Sequence, residues 1–355
     1  MNFAFLGHAN KPLIGVDVSS SAVKMLELSS NGPDLLRVER YAIAPLPKDA
    51  VQDGTIARHD VVEAAMRSAW QELKTRTRDV AMALPASSVI TKKILLPITA
   101  SESEIDTQVT AEANQIAPFP LDEVSLDYQV LGANSKNADE NDALLVLTRR
   151  ERVEERVALA EAVGLKTVVM DVDAYATLTA YERFAFHLPD NGKGQTVAII
   201  DIGANTTHVN VLHDNEPVYQ REHALGGSML TGEISRRYDL PTEEAEEAKR
   251  KGMLPDSFES EVLQPFLESV AQEINRAIQL FFSATSYQRV DHILLAGGCV
   301  AIAGLDDVVH SRMKTSTMIA NPFAKMALSA NVKPRQLAID SSALFVACGL
   351  ALRRF

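Results

Sequence analysis

Leu13 to Val18, Ala22 to Leu28 and Leu35 to Ile43 read as three successive strands, rich in β-branched and aliphatic residues, with the turn cluster Ser30-Asn31-Gly32-Pro33-Asp34 between the last two. A helical stripe follows: His59-Asp60 open it, and Val61, Val62, Ala65, Ala69 and Leu73 mark its apolar side. Asp79 to Leu84 is a short continuous apolar strand that Pro85 ends. From Ser87 the pattern changes. Thr91 to Leu96 predicts a strand, and Ser101-Glu102-Ser103-Glu104 a capping-box start to a helix that stops at Ala117-Pro118-Phe119-Pro120. Val124 to Leu131 and Asp142 to Thr148 predict a hairpin with a polar tip, Asn134 to Asn141, and Arg149 to Val163 a helix ended by Gly164.

Thr167 to Met170 is again a strand, followed by a helix through Ala174, Leu178 and Tyr181. Asn191-Gly192-Lys193-Gly194 reads as a hinge into the second half. That half opens with strand, turn and strand up to Gln220. Helices are then expected over Gly227 to Tyr238, Thr242 to Lys251 and Ser257 to Ser283, a strand over Val290 to Leu295, and helices over Leu305 to Met313 and Ser341 to Arg353. Strands alternating with crossover helices predict an α/β fold with a mixed sheet in each of two domains, covered on both faces.

Two stretches share one design. Ile14-Gly15-Val16-Asp17-Val18 leads through Ser19-Ser20-Ser21 into Ala22-Val23-Lys24-Met25-Leu26-Glu27-Leu28, and Ala198-Ile199-Ile200-Asp201-Ile202 leads through Gly203-Ala204-Asn205-Thr206 into Thr207-His208-Val209-Asn210-Val211-Leu212. Each is a strand ending in Asp, a turn of small residues, and a second strand. An unpaired carboxylate at a buried strand end needs a cation or donors. Two of them facing across a cleft suit Mg²⁺, which keeps several waters and takes a few carboxylates with phosphate oxygens. The turns let backbone N–H groups approach phosphate, with the hydroxyls of Ser20, Ser21, Thr206 and Thr207 as further donors. Lys24 lies where it can bring a point charge to phosphate, against the alternative of a solvated edge lysine. Gly226-Gly227 and Ala296-Gly297-Gly298-Cys299 allow close backbone approach to a flat ring or a ribose, although most such pairs are plain turns. Glu246, Lys249 and Arg250 share one helix face. They form either a solvated charged surface or a clamp whose carboxylate takes ribose hydroxyls and whose stems cover the base.

Charge narrows the partners. The 355 residues carry 35 Lys and Arg against 47 Asp and Glu, a net charge of −12. That balance argues against nucleic-acid binding and against a basic patch for anionic lipid. Cys299 and Cys348 have no ligand spacing and fit a reducing cytosol. His208 and His213, an odd number of residues apart on a strand, give no metal site. No signal peptide is visible. Met1 to Leu6 is apolar and reads as a frayed tail, and the late apolar run Ala343 to Leu352 is far shorter than the roughly 18 residues that span a bilayer. Membrane association is therefore expected only through a partner.

Taken in order, the motifs resemble the five-part nucleotide signature of the actin, heat-shock-chaperone and sugar-kinase superfamily. Phosphate-one is Ile14 to Leu28, connect-one Val172 to Tyr181, phosphate-two Ala198 to Leu212, the adenosine motif Leu294 to Leu305 and connect-two Ser342 to Leu352. Lys24 falls where actin has its phosphate lysine, and Glu246, Lys249 and Arg250 match the chaperones' adenosine clamp. An insert at Ser87 to Lys166 sits where the FtsA-like branch carries its extra subdomain. Within that branch the chain is similar to the PilM family of type IV pilus assembly, on the strings Leu13 to Leu28, Pro118-Phe119-Pro120 and Val172-Asp173-Ala174-Tyr175-Ala176, and in stopping at Phe355 directly after connect-two.

The resemblance implies an actin-like (ribonuclease H-like) two-domain fold with an FtsA-type inserted α+β subdomain. The first domain is then 1–86, 167–193 and 335–355, the insert 87–166, the second domain 194–225 and 290–334, and a helical adenosine-side subdomain 226–289. It implies ATP with Mg²⁺ on Asp17 and Asp201, and contacts from Ser19, Ser20, Ser21, Lys24, Gly203, Ala204, Asn205, Thr206, Thr207, Gly226, Gly227, Glu246, Lys249, Arg250, Gly297, Gly298 and Cys299. It also implies a cytoplasmic scaffold at the inner face of the inner membrane. Such a scaffold takes the cytoplasmic N-terminal peptide of PilN in a groove of the first domain and insert, couples that groove to nucleotide state, and meets other pilus platform and motor proteins or further copies of itself. Apolar positions near Ile94, Leu96 and Phe119 are groove candidates, with core packing as their alternative. Asp171 stands where FtsA has a water-positioning Glu. Being one methylene shorter, it implies slow ATPase at best. The alternatives are a filament-forming relative of FtsA or MreB, and a sugar or acetate kinase, for which no sugar-binding constellation is found.

Overall fold

The computed structural model describes residues 12–354 except 31, 33, 34 and 135. Met1 to Leu6, Phe355 and most of the turn cluster around Asn31 therefore lie outside the described residues. The chain opens with β1 (Leu13–Val18), β2 (Ala22–Ser30), β3 (Leu36–Pro45), the short hairpin β4 (Val51–Gln52) and β5 (Thr55–Ile56), α1 (His59–Leu73) and β6 (Asp79–Leu84). The small hairpin has a clear local cause: Asp53 and Gly54, at φ 47° and 72°, form a turn with two left-handed residues.

The insert holds β7 (Ile90–Pro97), α2 (Glu102–Ile116), β8 (Val124–Ala133) and β9 (Glu140–Arg149), and α3 (Arg150–Ala162) leads back from it onto the first sheet. Its three strands form a separate antiparallel sheet in the order β7-β9-β8. The expected capping box is present: Glu104 N donates to Ser101 Oγ, and Ser101 N to Glu104 Oε2 at 2.8 Å. Ile94 and Leu96 are buried under α2, and Phe119 packs against the same cluster with the Arg149 guanidinium over its ring. Ile94 and Leu96 are core rather than groove lining, because alternation along β7 turns them inward beneath the helix, whereas Phe119 stays partly exposed.

After β10 (Lys166–Val172) and α4 (Asp173–Glu182) come β11 (Thr196–Ile202), β12 (Thr207–His213), β13 (Glu216–His223), α5 (Ser228–Tyr238), α6 (Thr242–Lys251) and α7 (Gln264–Ala284). The chain then runs through β14 (His292–Ala296), α8 (Leu305–Met313), β15 (Ser316–Ile319), β16 (Ala327–Leu328), α9 (Pro334–Asp340) and α10 (Phe345–Ala351). The long helix expected from Ser257 starts instead as a wide turn over Glu259–Leu263, where Pro265 at the head of α7 has no N–H to give.

Two mixed sheets carry the architecture, in the orders β10-β6-β1-β2-β3-β16 and β13-β12-β11-β14-β15. α1 and α3 cover the outer face of the first through Val62, Met66, Leu73, Leu159 and Val163. α5 to α8 cover the outer face of the second through Leu230, Ile234, Leu267, Ile274 and Val309. Between the sheets lie α4 and α10, whose Ala180, Tyr181, Phe345 and Ala347 join Leu26 of one sheet to Ile199 and Leu294 of the other. This middle layer is packed to backbone contact. A Cβ on Gly349 would lie 1.8 Å from Ala176 O, and one on Gly15 2.1 Å from Ala347 O.

The expected hinge at Asn191 to Gly194 proves to be fastened. Asp190, Asn191 and Gly192 are successively left-handed, as are Asp214 and Asn215 in the β12–β13 turn. The two turns interlock: Asn215 Nδ2 donates to Asn191 O at 3.1 Å, Gly194 N to Asp214 Oδ1 at 3.0 Å, and Tyr181 Oη to Asn215 Oδ1 at 2.8 Å. Short polar side chains that tolerate left-handed backbone are what such a junction needs. Among the described residues no single helix is long and apolar enough to cross a membrane.

Candidate functional site

Strand register builds the site. β1 and β2 are antiparallel around a four-residue turn, which places Asp17 opposite Lys24. Lys24 Nζ donates to Asp17 Oδ2 at 2.9 Å, and both side chains are only 13% exposed. β11 and β12 repeat the geometry and place His208 opposite Asp201. Lys24 and His208 thus hold equivalent positions, each seven residues after its Asp. The sequence reading used this spacing for Lys24 and missed it for His208, which was considered only as one of a pair of histidines.

The two sheets present these pairs to one another. Burial disfavours the Lys24 ammonium, but the ion pair with Asp17 and the field of Asp201 outweigh it and hold its pKa above the ordinary value. Burial pushes the Asp201 carboxyl up, against the pull of His208 and Lys24, and Asp17 adds to the rise. The third acid is Asp173, the first residue of α4. Burial raises it to about 6, opposed by His208 and by the backbone N–H groups of Ala86 and Ala174, with Asp17 again adding to the rise. Asp17, Asp173, Asp201, Lys24 and His208 therefore form one electrostatic cluster at the carboxyl ends of β1, β10 and β11, the usual place for ligands in open α/β sheets.

Asp171 is not in that cluster. Its carboxylate pairs with Arg353 beyond α10 and accepts from the N–H of Val172. Asp171, expected to position water, thus has its carboxylate on Arg353, while Asp173, two residues on at the start of α4, is the acid that feels the charges of His208 and Asp17.

The turns differ in what they leave free. Ser19 closes its own turn, its N–H and hydroxyl both reaching Ala22 O at 3.0 Å, while Ser20 and Ser21 lie on the turn's outer part. Gly203 N donates to Thr206 O at 2.9 Å, holding Ala204 and Asn205 at the tip. Thr207 is corrected as a phosphate donor: it is buried and its hydroxyl is committed to Leu225 O at 2.8 Å. That bond draws the Gly226-Gly227 segment over the second turn, where Gly227 N reaches Gly203 O and Ser228 N reaches Ala204 O. A Cβ on Gly226 would meet Ala204 O at 2.3 Å, and one on Gly297, itself at φ 93°, would meet Asp201 Oδ1 at 2.4 Å. Gly297 therefore closes directly on the second-sheet carboxylate, with Gly298 and Cys299 continuing the wall.

α5 and α6 add the far side. Lys249 Nζ donates to Thr231 Oγ1 at 2.8 Å, and both Thr231 and Lys249 bond Glu246 Oε2 at 2.5 Å. Burial alone raises Glu246, but the bonds from Lys249 and Thr231 overcome it and keep the carboxyl below its ordinary range. Arg250 contributes to that field from an exposed position. Glu246 and Lys249 act on the buried Cys299, whose Sγ is 3.5 Å from where a Gly227 Cβ would sit. The structure thus gathers Gly227, Thr231, Glu246, Lys249 and Cys299 into one wall beside the acidic cluster.

Whole-chain comparison identifies the family. The family model described as type IV pilus assembly protein PilM matches residues 15–355. A solved PilM-PilN type IV pilus biogenesis complex is similar at a TM-score of 0.78 and 26% identity, over 98% of this chain and 99% of that one. Ethanolamine utilization protein EutJ from Carboxydothermus hydrogenoformans is similar at 0.57 and 15% identity, over 96% of this chain and 89% of that one. An archaeal actin homolog reaches 0.50 at 14% identity, over 96% and 98%. The last two likenesses establish the actin-like fold. With a family match spanning nearly its full length, the chain belongs to the type IV pilus assembly protein PilM family.

Proposed function

We propose that the chain is an ATP- and Mg²⁺-binding scaffold of type IV pilus assembly. In this reading it sits at the cytoplasmic face of the inner membrane and takes the N-terminal peptide of a PilN-type partner with an affinity that depends on nucleotide. The observation that carries it is the convergence of Asp17–Lys24 from one sheet and Asp201–His208 from the other, in a chain similar over its length to a PilM-PilN complex. The domains follow the boundaries expected above, with 87–166 as the insert and 226–289 as the helical adenosine-side subdomain.

The residues fit the cation. Asp17 and Asp201 bring one carboxylate from each sheet, and among the described residues no hydrogen bond is donated to the Asp201 carboxylate. A few carboxylates with phosphate oxygens and water suit Mg²⁺. Bound Mg²⁺ supplies countercharge to phosphate and to these acids. Lys24 places a second charge at the phosphates, the tip of the Gly203–Thr206 turn presents backbone N–H groups, and Glu246 and Lys249 meet the sugar and base side. Asp173 with His208 orients water, and its short side chain makes hydrolysis slow.

Isothermal titration with Mg-ATP, with and without the partner's N-terminal peptide, tests the reading. Wild-type protein binds nucleotide, and peptide shifts that affinity reciprocally. Asp17→Ala reduces Mg-dependent affinity by on the order of tenfold or more, the value of one charged contact. An unchanged affinity in Asp17→Ala, in protein with native circular dichroism, ends the proposal.

A further inference from the structure

The insert joins the first domain through a small set of bonds, and one of them belongs to the acidic cluster. The chain enters the insert at Pro85 to Val89 and leaves it at Thr148 to Arg150. Thr148 Oγ1 donates to Ser88 O at 2.8 Å and ties the two crossings together. Pro85 lies against Gly54 of the β4–β5 turn, closely enough that a Cβ there would meet Pro85 Cγ at 2.5 Å. Arg156, on the helix that leaves the insert, is 2% exposed and donates from Nη2 to Gly54 O at 2.9 Å. Arg152, one turn earlier, reaches Thr55 Oγ1 at 3.2 Å. The cavity among these groups has room for about one water, about 10 Å³, and the Arg156 Nη1 that borders it has no protein partner.

The bond that matters comes from the other side. Ala86 N, the first amide after Pro85, donates to Asp173 Oδ1 at 3.0 Å. The first turn of α4, which carries the third cleft acid, thus also holds the chain where it enters the insert. Asp173 faces His208 and Asp17 with its charge while one of its oxygens seats the 85–88 turn. Whatever fixes or moves that carboxylate fixes or moves the entry crossing, and the tie to Thr148 passes the displacement to the exit crossing.

The geometry points to Asp173 as the relay by which the nucleotide cleft sets the position of the inserted subdomain, through the Ala86 amide. The inference rests on the nucleotide reading given above and names the regulation of that same site. Cleft and insert are coupled here through one hydrogen bond whose donor can be removed without touching the cleft. Proline is compatible with position 86: it follows an extended Pro85 at ψ 138° and opens a short 3₁₀ turn, where its fixed φ is at home.

Hydrogen–deuterium exchange of the full chain, with and without saturating Mg-ATP, reads the coupling. In wild type, nucleotide slows exchange of the 86–97 segment by about fivefold or more, the lower end of ordinary allosteric coupling. Ala86→Pro binds nucleotide within about threefold of wild type and loses that protection. If Ala86→Pro fails to fold, Asp173→Ala serves instead, since it removes the acceptor: at saturating nucleotide its 86–97 segment exchanges at the nucleotide-free rate. Protection that survives either variant, or nucleotide binding in wild type with no change at 86–97, overturns the relay while leaving the nucleotide site standing. Absence of any binding heat in wild type removes the nucleotide site itself and the relay with it.

Discussion

At the scale of single residues, Asp173 is a carboxyl whose burial changes its chemistry. Its carboxyl has an ordinary value of 3.8 and is raised to about 6, chiefly by burial. The folded chain therefore binds this proton more tightly than the unfolded chain does. Its contribution to stability is most favourable below the unfolded value and is lost as pH rises through the folded one. Asp173→Asn, which keeps an oxygen for the Ala86 amide but carries no charge, should flatten that dependence. Melting temperatures of nucleotide-free protein, compared from the lower to the upper value, should fall less steeply for the variant than for wild type, with Asp201 left to contribute in both. Equal slopes for the two proteins refute the assignment. The sequence contained the signal for this residue, because Asp171 and Asp173 flank Val172 at the start of the connecting motif. What it lacked was direction. A strand sends alternate residues to opposite faces, but Asp173 has already left the strand and begun a helix. Arg353, which claims Asp171, is distant in sequence and unpredictable from local pattern.

Elements tell a different story about legibility. α1, β1 and β6 follow their apolar patterns and α2 its capping box, because local rules and tertiary packing agree there. The β4–β5 hairpin was missed although Asp53-Gly54 is a recognised turn pair, since its strands are two residues each and too short to show alternation. α10 is the element most dependent on a neighbour. Every residue of it is buried, and Gly349 rests on the backbone of α4. Gly349→Ala forces α4 and α10 apart, since the obstructing atom is a carbonyl oxygen rather than the end of a flexible side chain. Such overpacking costs about 3 kcal/mol or more. Urea unfolding of the variant reads this directly, and a midpoint equal to wild type contradicts the packing described.

For the whole molecule, the two-sheet plan was readable because its repeated strand–Asp–turn–strand unit appears twice, once in each sheet. The junction between the sheets was not. Asn191-Gly192-Lys193-Gly194 has the composition of a flexible joint, yet its backbone is pinned by the side chains of Asp214 and Asn215 across a second turn. Composition records what a backbone is permitted to do, and the pinning partners come from elsewhere in the chain. Asn215→Ala leaves the Tyr181 hydroxyl and the Asn191 carbonyl without their partner and costs about 1–2 kcal/mol. Amide exchange over 190–195 should rise sharply in that variant, while the central strands β1 and β11 keep their protection. Unaltered exchange there counts against the interlock. The bond between Thr148 and Ser88 has a separate consequence: the points where the chain departs for the three-stranded sheet and returns from it are neighbours. A segment whose two ends nearly touch behaves as a cassette. It can be exchanged for another of different length, or spliced out and bridged, with little demand on the scaffold that carries it.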